Sequence, residues 1–561
     1  MKKLLYILLI LTISCKKQKI ESKKQVSLTH QKEEDKTNKP FNWKAANLYF
    51  LLVDRFNNGD TTNDTNFNRN KETAKLRGFE GGDIKGIIQK IKEGYFTNLG
   101  VNAIWLSPIV EQIHGEVDEG SGATYGFHGY WTKDWTAIDP NFGTKADLDD
   151  LVQIAHEKGI RIVLDAVINH TGPVTTIDTV WSDSWVRTEP QCNYKGYEST
   201  VTCTLVKNLP DIKTESNEEV ALPKQLVEKW KKEGRYDQEV AELDAFFKRT
   251  GYPRAPKYYI IKWLTDYITE FGIDGFRADT VKHIEENIWK DFKTECDYAF
   301  AEWQKNNWTH FKNKQEFYLV GEVYGYNISA GKQYDFGDKK VNYFDNGFQS
   351  LINFEFKWNA KQMKGYETLF AKYSAILQNE LKGFGTLNYM TSHDDGQPFD
   401  RERKKTFETA TKLLLAPGTS QIYYGDESAR SLIIKEAEGD ATLRSTMNWE
   451  SIKTNAKTKE ILAHWQKLGQ FRNNHLSVGA GIHKMISKKP YVFQRTYTNG
   501  TYNDKVVIGL DLPKGEKEIK VSNLFKDKDK LIDAYSGKKV TVKNGIVVID
   551  TKFDIVLLEK I

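Results

Sequence analysis

From residue 47 onward the chain alternates short apolar runs with stretches of helical period. The runs at 48–53, 101–106, 160–167, 273–278, 317–323, 387–391 and 421–424 are mostly continuous, the pattern of parallel strands covered on both faces. Between them, 84–96, 145–158, 258–271, 403–415 and 458–471 are amphipathic at helical spacing. A shorter run at 341–344 is the candidate eighth strand. Repeated strand–helix units in this number predict an α/β fold, a closed (β/α)8 TIM barrel rather than an open doubly wound sheet. The repeat breaks at 171–256, after the third strand, over a length sufficient for a small inserted domain. Within that insertion, 222–252 is highly charged and partly helical, and is expected to border the cleft. Beyond 478, short alternating strands with Asn499-Gly500 and Asn544-Gly545 turn signals predict a C-terminal all-β sandwich. The expected organisation is a leader and linker at 1–40, a barrel at 41–170 and 257–477, an inserted domain at 171–256 and a sandwich at 478–561.

Composition sharpens this picture in two places. A hydrophobic fraction of 39% excludes a wholly disordered chain, and no interior run reaches the ~18 apolar residues of a membrane span. The net charge of +5 is misleading, because residues 1–40 hold ten Lys and four Asp or Glu. The remainder therefore sums to −1 (5 − 6), so no nucleic-acid partner is expected. Met1-Lys2-Lys3 followed by the apolar run 4–13 reads as a signal peptide. It ends Leu11-Thr12-Ile13-Ser14-Cys15, which resembles a bacterial lipobox and would make Cys15 the lipidated N-terminus. The expectation is an exported protein anchored by lipid to the cell envelope, at the periplasmic or outer face of the outer membrane. A cleaved, soluble secreted protein is the alternative. Residues 16–40 read as a flexible linker. Cys192 and Cys203 share one loop-rich stretch and could pair in an oxidising compartment, whereas Cys296 reads as a buried small hydrophobe.

Chemistry in such a barrel sits at the C-terminal ends of its strands. Strand three ends in Asp165, Asn169 and His170, and strand four in Gly275-Phe276-Arg277-Ala278-Asp279. Strand five ends in Gly321-Glu322-Val323, and strand seven in Ser392-His393-Asp394-Asp395. Asp279 follows Arg277 by two positions, so an extended strand puts both on one face. A neighbouring guanidinium keeps a carboxylate ionised and oriented, which suits a nucleophile. Glu322 would serve as proton donor if nearby carboxylates raise its pKa. Asp394 is a third carboxylate, and His170 and His393 can hold substrate hydroxyls. One acid beside one nucleophile is the retaining glycosidase arrangement, with the carboxyl groups roughly 5–5.5 Å apart. Singly, each residue has a plainer role: a strand-end Asp or Asn caps a helix, a buried His is merely hydrogen-bonded, and Asp165 is a salt-bridge partner. Their coincidence on four strands favours chemistry.

Taken together, these segments resemble the α-amylase family, glycoside hydrolase family 13, from about residue 48 to 561. Residues 165–170 and 275–283 look like its first and second regions, and Glu322 and His393-Asp394 like its third and fourth. The resemblance implies Asp279 as nucleophile, Glu322 as general acid/base and Asp394 as stabiliser of the transition state. It places Arg277, His170 and His393 around the attacked sugar. Phe127-His128-Gly129-Tyr130-Trp131 resembles a further motif in which His128 and Tyr130 contact that sugar; Tyr130 offers a ring for stacking, though such a ring can equally be core. Lys282 would meet a sugar beyond the cleavage point.

The resemblance also implies calcium, at one site or two. Asn169, Asp211 and the backbone of His283 would form a site between barrel and inserted domain, with the oxygen ligands a hard cation prefers. Asn169 could instead simply bond a loop. A second oxygen cluster lies in 54–64 with Gly81-Gly82-Asp83 downstream; it lacks EF-hand spacing and resembles the N-terminal calcium loop of cyclodextrin glucanotransferases. Its implied ligands are Asn58, Asp60, Asn63, Asp64, the Gly81 carbonyl and Asp83. Asx- and Gly-rich turns also form without metal.

Ser392 stands where the family usually has Asn, and Thr446 replaces its usual Pro. The long additional domains of cyclodextrin glucanotransferases are absent from the chain, so cyclisation is not expected as the main activity. The implied function is a monomeric, retaining hydrolase of α-1,4-glucosidic bonds in starch, maltodextrins or related α-glucans. Cyclomaltodextrinase, neopullulanase or glucan transferase activity is the alternative within the family, and a non-catalytic glucan-binding lipoprotein the alternative outside it.

Overall fold

The computed structural model describes residues 39–307, 315–522 and 524–561; the expected signal peptide, Cys15 and nearly all of the expected linker lie outside the described residues. Eight short strands form a closed barrel: β1 (Asn47–Leu51), β2 (Ala103–Leu106), β3 (Arg161–Ala166), β4 (Gly275–Ala278), β5 (Tyr318–Gly321), β6 (Ser350–Asn353), β7 (Gly385–Tyr389) and β8 (Thr419–Tyr423). Each pairs in parallel with its neighbours in chain order, and β8 closes on β1. The strand residues are buried on both faces, except Arg161 at the start of β3, which is why their apolar runs are nearly continuous.

The sixth strand corrects the sequence reading. Residues 341–344 do not enter the barrel: Lys340–Val341 pairs with Tyr334–Asp335 in a small hairpin, and Tyr343–Asn346 is a 3-10 turn. The barrel strand is Ser350-Leu351-Ile352-Asn353, whose polar ends hide it from a hydrophobic pattern. Both ends are buried, and the Asn353 amide donates to Asn388 Oδ1 on β7 at 2.9 Å and to the Tyr373 hydroxyl at 3.1 Å.

Helices cover the strands outside. Among them are α1 (Ile84–Lys92), α2 (Lys145–Glu157), α3 (Pro256–Phe271), α4 (Glu286–Asn306), α5 (Tyr366–Gln378), α6 (Thr406–Leu414) and α7 (Ala456–Asn474). Their limits follow local chemistry. Asp83 caps α1 by accepting from Gly86 N–H, Thr144 and Asp147 form a capping box on α2, and Pro256 opens α3. Gly272 ends α3 at φ +71°, where a Cβ would fall 1.9 Å from the Trp303 ring. Only glycine fits there.

Residues 222–252 form two helices, Lys224–Lys232 and Tyr236–Thr250. Trp230 is buried edge-on against Trp263 of α3, and its indole N–H donates to Thr136 Oγ1 at 3.2 Å. Lys229 pairs with Glu111 and Asp134, and Arg249 pairs with Glu295 of α4. Glu111 and Asp134 face each other in the antiparallel strand pair 110–112 and 132–138, Glu295 is helical, and none of the three belongs to the carboxylate cluster described below. The segment expected at the cleft therefore buttresses α3 and α4. Elsewhere in the insertion Cys192 and Cys203 are disulfide-bonded, while Cys296 is free and buried in α4.

The C-terminal strands form a six-stranded antiparallel sheet and a two-stranded partner sheet around a separate core that includes Val507, Ile519, Phe525, Val547 and Leu558. Asn544 and Gly545 both take positive φ, as a type I′ turn requires. At the first hairpin the two turn residues are Gly500 and Thr501, with Asn499 paired to Tyr502 as the last strand residue.

His475, just past α7, joins the barrel to this module. Its Nδ1 lies 2.8 Å from Asp504 Oδ1, and its Nε2 meets Glu559. Burial alone would lower its pKa, but the bonds and charges of these two carboxylates raise it to about 9. A raised cationic group stabilises the fold fully below its unfolded value of 6.5 and loses that contribution as pH rises through about 9. Melting curves should therefore show wild type losing its advantage over a His475→Gln variant between those pH values. An advantage that persists unchanged to pH 10 would contradict the assignment.

Candidate active site

The functional side chains leave the barrel where the strand ladder runs one residue past its ends. Asp279 N–H donates to Ala166 O at 3.0 Å, and Glu322 N–H donates to Ala278 O at 3.0 Å. Asp279 and Glu322 thus emerge from neighbouring strands at the same rim. Thr280 then takes φ +48°, a left-handed conformation uncommon for a β-branched residue, and turns the chain away from the cleft.

Arg277 organises the site. It is buried within β4, in register with Asp165 on β3. Its Nη1 lies 2.8 Å from Asp165 Oδ1 and 2.7 Å from Asp279 Oδ1, and its Nη2 lies 3.0 Å from Glu322 Oε2. Asp165 also accepts from the Trp105 indole at 3.1 Å and the Tyr130 hydroxyl at 2.8 Å, so its role is to fix Arg277 and Tyr130. One guanidinium cannot neutralise three carboxylates. Burial drives the Glu322 pKa up to about 8, with Asp279 and Asp394 adding to the shift and Arg277 opposing it. Glu322 is therefore protonated at neutral pH.

Asp394 follows β7 at the mouth. Desolvation opposes its charge, but His393, the Ser392 hydroxyl and Arg277 together hold its pKa at about 2. Ser392 Oγ donates to Asp394 Oδ1 at 2.6 Å, so this smaller residue orients the carboxylate directly. Burial lowers the His393 pKa to about 4 despite Asp394, leaving a neutral ring. The Tyr130 ring stacks on His393 at 5.1 Å and 16°. Tyr130 N–H donates to His128 Nδ1 at 3.1 Å, and His170 Nε2 lies 3.2 Å from Tyr130 O. The histidines and Tyr130 form one continuous wall. Lys282 stands on the other side among Tyr194, Tyr324 and Tyr334.

Glu322 and Asp394 line one small cavity with Trp105, Arg277, Phe354, Tyr389 and His393, and Asp279 is tied to that rim through Arg277; an acid beside a carboxylate in this way can perform acid-assisted displacement at an acetal carbon. Residues 50–481 match the family model for the α-amylase catalytic domain. The chain belongs to the α-amylase family. It is 33% identical to the periplasmic α-amylase of Escherichia coli (strain K12), over 85% of this chain and 74% of that protein. Against a cyclomaltodextrin glucanotransferase of Geobacillus stearothermophilus it is 26% identical, over 81% of this chain and 58% of that protein. The solved α-amylase of Geobacillus thermoleovorans in complex with acarbose superposes with TM-score 0.63 at 22% identity, covering 93% of this chain and 99% of that one. An Anoxybacillus α-amylase superposes equally, with TM-score 0.63 at 23% identity, covering 92% and 99%. The protein is a glucan-hydrolysing enzyme, a glycosidase.

Among the described residues no three His, Cys, Asp or Glu side chains converge as a metal cluster. The expected calcium ligands divide into two cases. Asn169 and Asp211 lie on adjoining segments, with Ile212 N–H donating to Asn169 O at 2.8 Å, and both side chains are buried. Neither Asn169 side-chain atom and neither Asp211 carboxylate oxygen has a hydrogen-bond partner, although Arg187 Nε stands 2.8 Å from Asp211. Asn169 Oδ1 and Asp211 Oδ1, the oxygen that Arg187 does not meet, fit a hard cation. His283 turns its Nδ1 to Thr200 O at 3.0 Å. At the N-terminal loop the fit is partial. Asn58 donates to Asp64 Oδ1 at 2.8 Å beside Gly81, and Asn63 Oδ1 is buried without a partner. Asp83 already accepts from Gly59, Asp60 and Gly86 N–H as a helix cap, and Asp60 pairs with Lys85 at 2.6 Å.

The sequence reading missed Trp105 and Arg444. Trp105 is indistinguishable from core within an apolar run, and only its place at the end of β2 marks it. Arg444, whose Nε donates to His393 O at 3.0 Å, lies outside every strand.

Glu322→Gln should lower turnover by the roughly 10²–10⁴-fold typical of general acid catalysis, measured on a soluble glucan. Because the acid must carry its proton, wild-type kcat/KM should fall as pH rises through about 8. A flat profile to pH 10 would remove Glu322 from that role.

Proposed function

We propose that the enzyme cleaves α-1,4-glucosidic bonds of starch-type glucans with retention of anomeric configuration. The observation that carries this reading is that Asp279 and Glu322 take opposite nitrogens of the single Arg277 guanidinium. Glu322 delivers its proton to the departing glycosidic oxygen while Asp279 attacks the anomeric carbon. Once deprotonated, Glu322 draws a proton from water, which releases the sugar from Asp279. Asp394, His393 and His128 hold the hydroxyls of the attacked ring, and Tyr130 and His170 complete that wall. Glucotransfer to a sugar acceptor uses the same residues; the similarity to cyclomaltodextrin glucanotransferases supports this second reading.

The protein is exported, as the leader and the similarity to a periplasmic α-amylase suggest, and is held to the envelope through Cys15 as a monomer. Calcium bound by Asn169, Asp211 and the His283 carbonyl would tie the loop after β3 to the inserted domain. Asn58, Asn63, Asp64 and Gly81 would hold a second ion, with Asp60 and Asp83 able to join only by giving up their present partners. The ions supply structural rigidity.

Proton NMR of early products from maltoheptaose should show the α-anomer first, and chromatography should show linear maltooligosaccharides from starch. Initial β-anomer would refute retention. Chelation should lower the melting temperature, because a ligand bound only to the folded state stabilises it; an unchanged melting temperature after exhaustive chelation would refute the calcium sites.

A further inference from the structure

The segment after β7 carries two consecutive carboxylates, and the mechanism uses only the first. The second, Asp395, pairs with the Lys357 ammonium, accepts from the Tyr389 hydroxyl at 2.8 Å and takes the Gln397 N–H at 3.1 Å. Lys357 is only 4% exposed, so water screens this pair weakly. Lys357 reaches Asp395 from the segment after β6, which a second ammonium holds in place. Lys412 of α6 is fully buried and donates to Phe356 O at 2.8 Å and to Lys357 O at 3.4 Å. The same ammonium lies 4.6 Å from the ring of Phe399, whose N–H donates to Met390 O at 2.9 Å. Lys412 thus joins the segment that carries Lys357 to the segment that carries Asp394 and Asp395.

The Lys357–Asp395 pair stands beside the reacting groups. Tyr389, whose hydroxyl Asp395 holds, lines the small cavity with Phe354, Glu322 and Asp394. Burial pushes the pKa of that hydroxyl up, and Asp395, Asp394 and Glu322 push it further, so the field of Asp395 reaches the cavity wall. Arg277 is already shared by Asp165, Asp279 and Glu322. An uncompensated charge on Asp395 would add one more negative group to this rim. Lys357 cancels it.

We propose that Lys357 is a positioning residue for the reaction: by neutralising Asp395 it fixes the Tyr389 wall and the segment that bears Asp394, and it shields the general acid from a further negative charge. This rests on the glycosidase reading above. The charged groups around Glu322 are Arg277, Asp279, Asp394 and Lys282. Lys357 faces Asp395, and behind it stands Lys412, with Glu408, Lys405 and Lys361 around it. Burial lowers the Lys412 pKa to about 7, but Lys412 is common to every variant below, so its titration cancels in the comparison.

The test follows kcat and kcat/KM for maltoheptaose against pH. Lys357→Met should lower both together, about 10- to 100-fold, the cost of a small misplacement of reacting groups. It should also move the alkaline limb of kcat/KM to higher pH, because an unpaired Asp395 opposes ionisation of Glu322. Asp395→Asn should move that limb to lower pH, because Lys357 is then the unpaired charge. Combining the two substitutions should return the limb to its wild-type position, and Lys357→Arg should retain wild-type kcat. A folded Lys357→Met enzyme with wild-type kcat would overturn the assignment, as would limbs that coincide or shift alike in the two single variants. Should Lys357→Met not fold, an Asp395→Asn limb no different from those of wild type and the combined variant would overturn it equally. A wild-type enzyme that leaves maltoheptaose intact would overturn the glycosidase reading instead.

Discussion

The whole site depends on one buried cation. Arg277 is surrounded by Asp165, Asp279 and Glu322, and each of the three touches a different part of the problem. Asp165 comes from the preceding strand and is saturated by Trp105, Tyr130 and Arg277, so it acts as a fixed anchor. Asp279 follows directly on the guanidinium's own strand and accepts from its Nη1 at 2.7 Å. Glu322 reaches the far nitrogen from the next strand and keeps its proton, because a single positive charge cannot offset so many negative ones in a desolvated rim. A substitution at Arg277 would therefore disturb nucleophile and acid together.

This arrangement follows from the barrel. In a parallel ladder, adjacent strand ends are about 4.8 Å apart, which brings carboxylates from consecutive strands to one rim. Loops after several strands surround that rim: Tyr130, after β2, stacks on His393, after β7, while Lys282, after β4, stands among the rings of Tyr194, Tyr324 and Tyr334. The helix pair at 224–250 contributes rigidity at a distance, through Trp230 and the Lys229 ion pairs.

Much of this was legible in the sequence, for a physical reason. Strands buried on both faces leave continuous apolar runs, and charged residues at their ends stand out against that background; β1 to β5, β7, β8 and the three carboxylates were visible on these grounds. The strand β6 was not, because Ser350 and Asn353 look like loop residues in one dimension, while inside the barrel both are buried and Asn353 is satisfied by Asn388 and Tyr373. Trp105 was invisible because an indole that donates one hydrogen bond has the same composition as one that donates none. The 222–252 helices were expected to border the cleft, whereas Lys229 is spent on Glu111 and Asp134 of the strand pair after β2 and Arg249 on Glu295 of α4, pairings between distant segments that a linear pattern does not display.

The central claim is that Asp279 attacks while Glu322 supplies the proton. Trapping the covalent intermediate tests it most directly. Incubation with a 5-fluoro-α-glucosyl-type maltosyl fluoride, followed by proteolysis and mass spectrometry, should place a single glycosyl adduct on the peptide that contains Asp279. An adduct on Asp165, Glu322 or Asp394 instead would contradict the account.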